Sequence, residues 1–461
     1  VEAIKKVRKK RINKFTEPYT FGAALKKGNF ATKLTLLIMG AGNILHGQIL
    51  KGLFYLAIEA AFVIFMLRTG WSNLAMLPSL GWLTQEETWN EAKGVYEYTS
   101  GHNSVLLLLY GVITVFIVLV FMLVWYSSVK SAYKSQYLKE KGSHLNTFRE
   151  DAASLLDKNL QKLLMTPPLI GIFAFTVLPL IFMITMAFTD YSKVNDKLVL
   201  FDWVGFDNFK KVLSFSDSIG KTFWSVLGWT IVWAVLATGL NYILGMLLAI
   251  IINRKETRLK GFWRFCFILS IAVPQFVSLL IMRTMLQPEG AVNVLLKNLG
   301  LIDQSLPFFT NVTWARATVI IINLWVGIPY TLLSVTGILQ NIPVELYESA
   351  KVDGANAFII FFKITLPYML FVMTPNLIVS FTNNVNNFNV IYLLSAGAPT
   401  PVGATAGKTD LLVTWLYKLT IDFQYFNLGA VIGILTFVVL ATLSLLTYRN
   451  TGSYKNEEGF Q

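Results

Sequence analysis

The residues VGATAGKTD, from Val402 to Asp410, carry the lettering of a phosphate-binding loop. Such a loop needs glycine, four residues, then glycine, lysine and serine or threonine. Successive backbone N–H groups then curl round the phosphates and the lysine reaches their oxygens. Here only three residues separate Gly403 from Gly407, Pro399 and Pro401 come just before, and no Val/Ile strand leads in. The run is not read as a nucleotide site, so any ATP must be handled by another chain. A second group with chemical capacity is the five asparagines Asn383, Asn384, Asn386, Asn387 and Asn389. Amides donate and accept hydrogen bonds without committing a charge, which suits sugar hydroxyls; bonding between packed helices is their other use. On a helix, Asn383 or Asn384 shares a face with Asn387. Cys266 stands alone and His46, His102 and His144 are scattered, so neither a disulfide nor a metal site is expected. No Ser/His/Asp grouping or paired carboxylates point to an enzyme.

The elements that must position these residues are membrane helices. The chain is 54% hydrophobic and 14% charged, against about 25% charged in ordinary globular proteins. Eight apolar segments are long enough to cross a hydrocarbon core, at roughly 52–68, 105–128, 164–188, 222–252, 261–286, 318–339, 367–394 and 427–449. Residues 31–50 are apolar but interrupted by Gly40, Gly42, Asn43, His46 and Gly47. They read as an interfacial or re-entrant piece, with a ninth span as the alternative. The expected class is an all-α integral membrane protein. Its parts are a basic N-terminus with the interfacial segment (1–50), two accessory spans (51–160), a core (161–449) and a tail (450–461).

Basic residues orient the spans. The run KKVRKKR from Lys5 stays in the cytoplasm and does not read as a removable signal. Glu86, Glu87, Glu91 and Glu97 face only Lys93, which puts that loop outside. Lys130, Lys134, Lys139, Lys141 and Arg149 put the next one inside. Alternation then places RKETRLK from Arg254 and the segment 340–366 inside, residues 395–426 outside, and both termini in the cytoplasm. The net charge of +13 is accounted for by anionic lipid beside the spans, and no nucleic-acid partner is called for.

Residues 341–367, NIPVELYESAKVDGANAFIIFFKITLP, are the most specific stretch. Asn341 is a good N-cap and Pro343 is tolerated in a first turn. Glu345 and Glu348 complement the helix dipole. A short helix should end at Asp353-Gly354, and a second should run from Ala355 to about Thr365, stopped by Pro367. This segment resembles the coupling loop of binding-protein-dependent ABC importer permeases, whose pattern is Glu-Ala-Ala, three residues, Gly, nine residues, Ile, one residue, Leu-Pro. Glu348, Ser349, Ala350, Gly354, Ile364, Leu366 and Pro367 fall at those spacings, with Ser349 the one departure. An ordinary juxtamembrane hairpin is the bland alternative.

The resemblance extends over roughly 160–449. NLWVGIPY from Asn323, NNVNNFNVIYLL from Asn383 and TAGKTDLLV from Thr405 look like the larger membrane subunit of maltose/maltodextrin importers. It implies a type I ABC importer fold with Gly327, Tyr330, Asn384 and Asn387 as sugar contacts, and Gln275 as a further candidate. Trp325 reads as packing or gate-lining, and Glu59 as hydrogen-bonded structure. The resemblance also implies a second, smaller permease, two ATPase subunits that bind the ATP and Mg, an extracytoplasmic sugar-binding lipoprotein and alternating access in the cell membrane. Residues 189–221 are too few for the large external domain of Gram-negative members, which points to a Gram-positive source. In ILSIAVPQF from Ile268, Ser270-Ile271 replaces the proline and aromatic often found in the family. Malto-oligosaccharides lead as substrate, with galacto-oligosaccharides or other α-glucosides behind. The rivals from other classes are an ion-coupled sugar transporter, which needs an indispensable acidic residue in the spans, and a membrane-embedded glycosyltransferase, which needs convergent carboxylates or a metal motif.

Overall fold

The computed structural model describes residues 19–449 apart from 85, 99, 158 and 255; the basic run from Lys5 and the tail 450–461 lie outside the described residues. Among these there are seven helical spans apolar and long enough to cross a membrane: Ile49–Met76, Ser104–Glu140, Leu160–Met186, Ser218–Asn253, Val312–Leu339, Ala357–Leu394 and Phe426–Arg449. The fifth of the eight expected spans is instead a pair, Lys260–Ala272 and Gln275–Met285, bent by 87°. Pro274 brings no N–H and disfavours helical backbone at Val273, which is extended at φ −76°, ψ 125°. Residues 31–50 supply no span. Phe30–Leu34 and Ala41–Leu45 are too short to cross, and the first span begins at Ile49.

Two compact units divide the described residues. One holds everything up to Thr185 together with Lys197–Trp203, so the third span groups with the first two. Within it the long helix Ser104–Glu140 runs past the apolar stretch, and its lower part offers polar anchors. Gln136 accepts from the Asn29 backbone N–H at 2.9 Å and the Thr32 hydroxyl at 2.8 Å, and Asn43 donates to Ser131 at 3.0 Å. The Glu59 carboxylate accepts the Met39 N–H at 2.8 Å, the structural use expected of it. An antiparallel hairpin, Glu87–Asn90 with Val95–Tyr98, fills the acidic loop. There Lys93, then Asn90, hold the Glu97 carboxyl below its ordinary pKa by hydrogen bonding.

The other unit comprises Met186–Asp196 and everything described from Val204 onward. Its fourth span carries small residues at helical spacing, Ala234, Ala237 and Ala249, all fully buried. Small side chains let helices approach closely where lipid supplies no hydrophobic drive. Trp233, Leu279, Val319, Val390 and Leu394 form one packed cluster; Tyr242, Met246, Leu332 and Met373 form a second.

The loop from Val402 to Asp410 turns its polar groups inward. Asp410, fully buried, accepts the Gly407 N–H at 2.7 Å, the Thr414 hydroxyl at 2.9 Å and the Lys418 ammonium at 2.6 Å. A backbone N–H that a phosphate loop would aim at its ligand is spent on the chain's own carboxylate. Lys418 also bonds the Ala396 carbonyl at 2.9 Å, and Trp229 donates to the Thr409 carbonyl at 3.2 Å, tying the loop to the fourth span. Removing one member of a buried ion pair strands the other charge, at about 3–5 kcal/mol. Lys418→Met should therefore destabilise the chain by about 3–5 kcal/mol, read as a lowered thermal midpoint in detergent, with Lys418→Arg, which keeps the charge, losing less. Unfolding of Lys418→Met at the wild-type temperature would show that the pair does not hold the loop.

Candidate functional site

The second unit encloses a cavity of about 530 Å³ walled by the fourth, fifth, sixth and seventh spans. Gln275, Gly327, Tyr330, Asn384 and Asn387, the five expected sugar contacts, all line it. So do Asn241, Asn323, Asn376, Asn383, Asn386 and Asn389. Its wall contains no Asp, Glu, Lys, Arg or His. Amides, the Tyr330 ring and hydroxyls such as Thr238 and Ser380 give it many hydrogen-bonding directions and no fixed charge. Tyr330 is 56% exposed, which leaves its ring face open to a pyranose. Trp325 is 56% exposed and is not on the wall.

The asparagines get there by a different route from the one expected. A continuous helix would let Asn383, Asn384 and Asn387 share a face, but the helix Leu366–Val385 ends before Asn386 and a new one runs over Phe388–Leu394. Asn387 caps that second piece, its side chain accepting the Val390 N–H at 3.2 Å, while its amide nitrogen donates to Asn323 at 3.5 Å. Asparagine favours caps because its side chain competes with the backbone for such bonds. Asn384 donates to Thr238 at 3.0 Å, and its carbonyl accepts from Trp233 Nε1 at 3.0 Å. Asn389 donates to Gln275 at 3.4 Å, so the break in the seventh span meets the break in the fifth. The sixth span, by contrast, is not broken. Val312–Leu339 is one continuous helix with the buried Pro329 inside it, and Leu332, one turn on, packs in a cluster with Tyr242 and Met246 of the fourth span.

The segment 341–367 forms a helix Val344–Val352 and then a second beginning at Ala357. Pro343, not Asn341, occupies the N-cap, since its fixed φ of −56° with ψ 130° is already the non-helical geometry of a cap. Gly354 sits at φ +77°, where only glycine is at ease, and the Ala355 N–H closes on the Ala350 carbonyl at 2.9 Å. Asn356 caps the second helix by accepting the Ile359 N–H at 2.9 Å. Pro367 does not stop that helix. A wide turn over Phe361–Thr365 loosens the backbone just ahead of it, and the proline falls in the first turn of Leu366–Val385. The Tyr347 hydroxyl lies 3.3 Å from that of Thr365 and pins one helix on the other. Glu348 and Ser349 are exposed. Val352, 87% exposed, and Phe358, 71% exposed, leave apolar surface beside them.

Asn241 and Asn323 were not singled out from the sequence as contacts. Asn323 lay in a quoted motif. Asn241 had a subtler signal: it falls among the small residues of the fourth span, four positions after Ala237 and eight before Ala249, and is polar where they are not.

A model of the family described as "Binding-protein-dependent transport system inner membrane component" matches residues 241–451. The galactooligosaccharides transport system permease protein GanP of Bacillus subtilis (strain 168) is 38% identical over 357 residues, covering 77% of this chain and 85% of its own. The maltodextrin transport system permease protein MdxF of the same organism is 33% identical over 437 residues, covering 92% and 96%. Among solved structures, a bacterial ABC transporter involved in the import of the acidic polysaccharide alginate has a chain that superposes with a TM-score of 0.54. That match covers 64% of this chain and 96% of the other at 23% identity, and it shows a shared fold. With relatives this similar over most of their length, the chain belongs to the inner membrane components of binding-protein-dependent ABC transport systems, in the family that includes the maltodextrin and galactooligosaccharides permeases.

Proposed function

We propose that the chain is the sugar-conducting permease of an ATP-driven importer of neutral oligosaccharides, malto-oligosaccharides first and galacto-oligosaccharides second. The observation that carries this reading is the cavity wall: many amides, an open tyrosine ring and no charged side chain. An acidic polysaccharide would ask for cations there, and an ion-coupled transporter for an acid. The relatives named for maltodextrin and galactooligosaccharides support the same class of substrate.

The chain performs no bond chemistry. A loaded sugar-binding lipoprotein docks outside; two ATPase subunits close inside on ATP and Mg. Helix Val344–Val352 enters a groove of one of them, with Glu348 presented to a basic residue and the small Ser349 and Ala350 allowing close approach. Gly354, Ile364, Leu366 and Pro367 shape the return into the seventh span, so closure of the ATPases opens the spans outward. Hydrolysis resets them. A second, smaller permease completes the pathway, and both termini lie in the cytoplasm of a Gram-positive cell.

The orientation is checked in a chain lacking Cys266. A cysteine at Glu91 should react with a membrane-impermeant maleimide in intact cells, and one at Lys139 only after lysis; the reverse pattern inverts the topology. Coupling is checked by Gly354→Pro, which cannot adopt φ +77°. Purified from native membranes, wild type should bring a second permease and an ATPase, whereas the variant loses the ATPase and at least tenfold of its ATP-dependent uptake. Wild type that emerges alone and still moves sugar without ATP would sink the importer reading. Tyr330→Ala should lower sugar binding by up to about tenfold, since packing on an aromatic ring contributes about 0.5–1.5 kcal/mol; unchanged binding would move the site elsewhere.

A further inference from the structure

Buried polar atoms nearly always find a partner, because leaving one unpaired is costly and an apolar residue of the same shape avoids the cost. Among the described residues five buried side-chain atoms have none: Asn43 Oδ1, Asn241 Oδ1, Tyr242 OH, Arg264 Nε and Asn323 Nδ2. Three of these five, on Asn241, Tyr242 and Asn323, belong to residues that line the one amide-rich cavity. They are buried to 8%, 7% and 3% exposure, so bulk water does not satisfy them. Asn241 Oδ1 can only accept, Asn323 Nδ2 can only donate, and the Tyr242 hydroxyl does either. Adjacent hydroxyls of a sugar ring offer the matching set.

The neighbouring glycine shows that the place of Asn241 is kept open. A Cβ on Gly327 would stand 2.3 Å from Asn241 Nδ2 and 2.5 Å from its Cγ. Any other residue at 327 therefore displaces the amide. Tyr242, next along the fourth span, packs its ring among Met246, Leu332 and Met373, which fixes where its hydroxyl points.

We infer that Asn241 and Tyr242 of the fourth span hydrogen-bond the sugar, and that Gly327 serves to leave room for the Asn241 amide. The inference rests on the reading of this cavity as an oligosaccharide site. It adds a wall that neither the asparagine cluster nor the sixth-span motif supplies, and it makes hydroxyl recognition here a matter of one acceptor and one phenol held in place by packing.

The test is equilibrium binding of tritiated maltotriose, and of tritiated galactotriose, to the purified, assembled importer without its binding protein. Tyr242→Phe removes one oxygen and keeps the ring. It should weaken binding about threefold to tenfold, the worth of one hydrogen bond. Asn241→Leu should weaken it tenfold or more. Gly327→Ala should also weaken it tenfold or more, yet cost nothing further when added to Asn241→Ala, since the group it displaces is already gone. If Tyr242→Phe and Asn241→Leu bind like wild type, the unpaired atoms have no ligand and the inference falls while the cavity reading stands. If Gly327→Ala costs as much in the Asn241→Ala background as alone, the glycine acts on the sugar directly and its assigned role is wrong. If wild type binds neither sugar, the oligosaccharide reading itself fails and takes this inference with it.

Discussion

Hydrocarbon cannot solvate a backbone N–H or C=O, so a helix can be broken inside a membrane only where something else takes up the freed groups. Among the described residues two spans are broken, at Val273–Pro274 and at Asn386–Asn387; Asn386, Asn387 and the Gln275 that follows the first break are on the cavity wall. Trp233 takes up the Asn384 carbonyl, and the Asn387 side chain takes up the Val390 N–H. Gln275 and Asn389 join one break to the other. The polar interior is thus the condition for interrupting the helices, and the interruptions turn amide side chains that would line a regular face into a ring around a cavity. Cavity and breaks stabilise each other, which is why a site rich in asparagine can persist at this depth.

The spans were legible because length and apolarity suffice to mark them: the eight segments all correspond to helices or to the bent pair. The short loop helix ending at Gly354 was legible too, since its turn depends on local chemistry alone. What could not be read was which prolines and asparagines would end a helix. Pro274 bends its span and Pro329 does not, although each lies inside an apolar run. The difference lies in tertiary packing around each proline, and one sequence does not contain it. Asn386 and Asn387 carry the same ambiguity, because an amide that can line a helix face can equally cap a helix end. Asn241 was hidden for another reason. A single polar residue in a long span reads as glue between helices, and only the missing partner on its oxygen distinguishes it.

Lettering and chemistry part company most clearly at Gly407-Lys408-Thr409-Asp410. The same N–H and charge types that cradle a phosphate are there, but the aspartate that follows collects them first. A carboxylate wholly buried beside a lysine is a rigid internal anchor. It holds the loop against Trp229 and Thr230 of the fourth span, the helix whose next turns carry Trp233, Thr238 and Asn241. The order of this loop and the order of one cavity wall therefore depend on the same helix.

The last link is from the segment 341–367 to that wall. Pro367 would have separated the two had it ended the second loop helix. Instead the wide turn at Phe361–Thr365 lets the chain pass from Ala357 into Leu366–Val385 without a stop. Those 20 residues make a rod about 30 Å long at about 1.5 Å per residue. Its lower end is pinned to Val344–Val352 through Tyr347 and Thr365, and its upper end carries Asn383 and Asn384 into the cavity. On the proposed reading, a displacement imposed by an ATPase on the loop need not diffuse through a network of contacts to reach the sugar. It travels along one helix, with the wide turn and the Asn386–Asn387 break as the two points at which that helix can pivot.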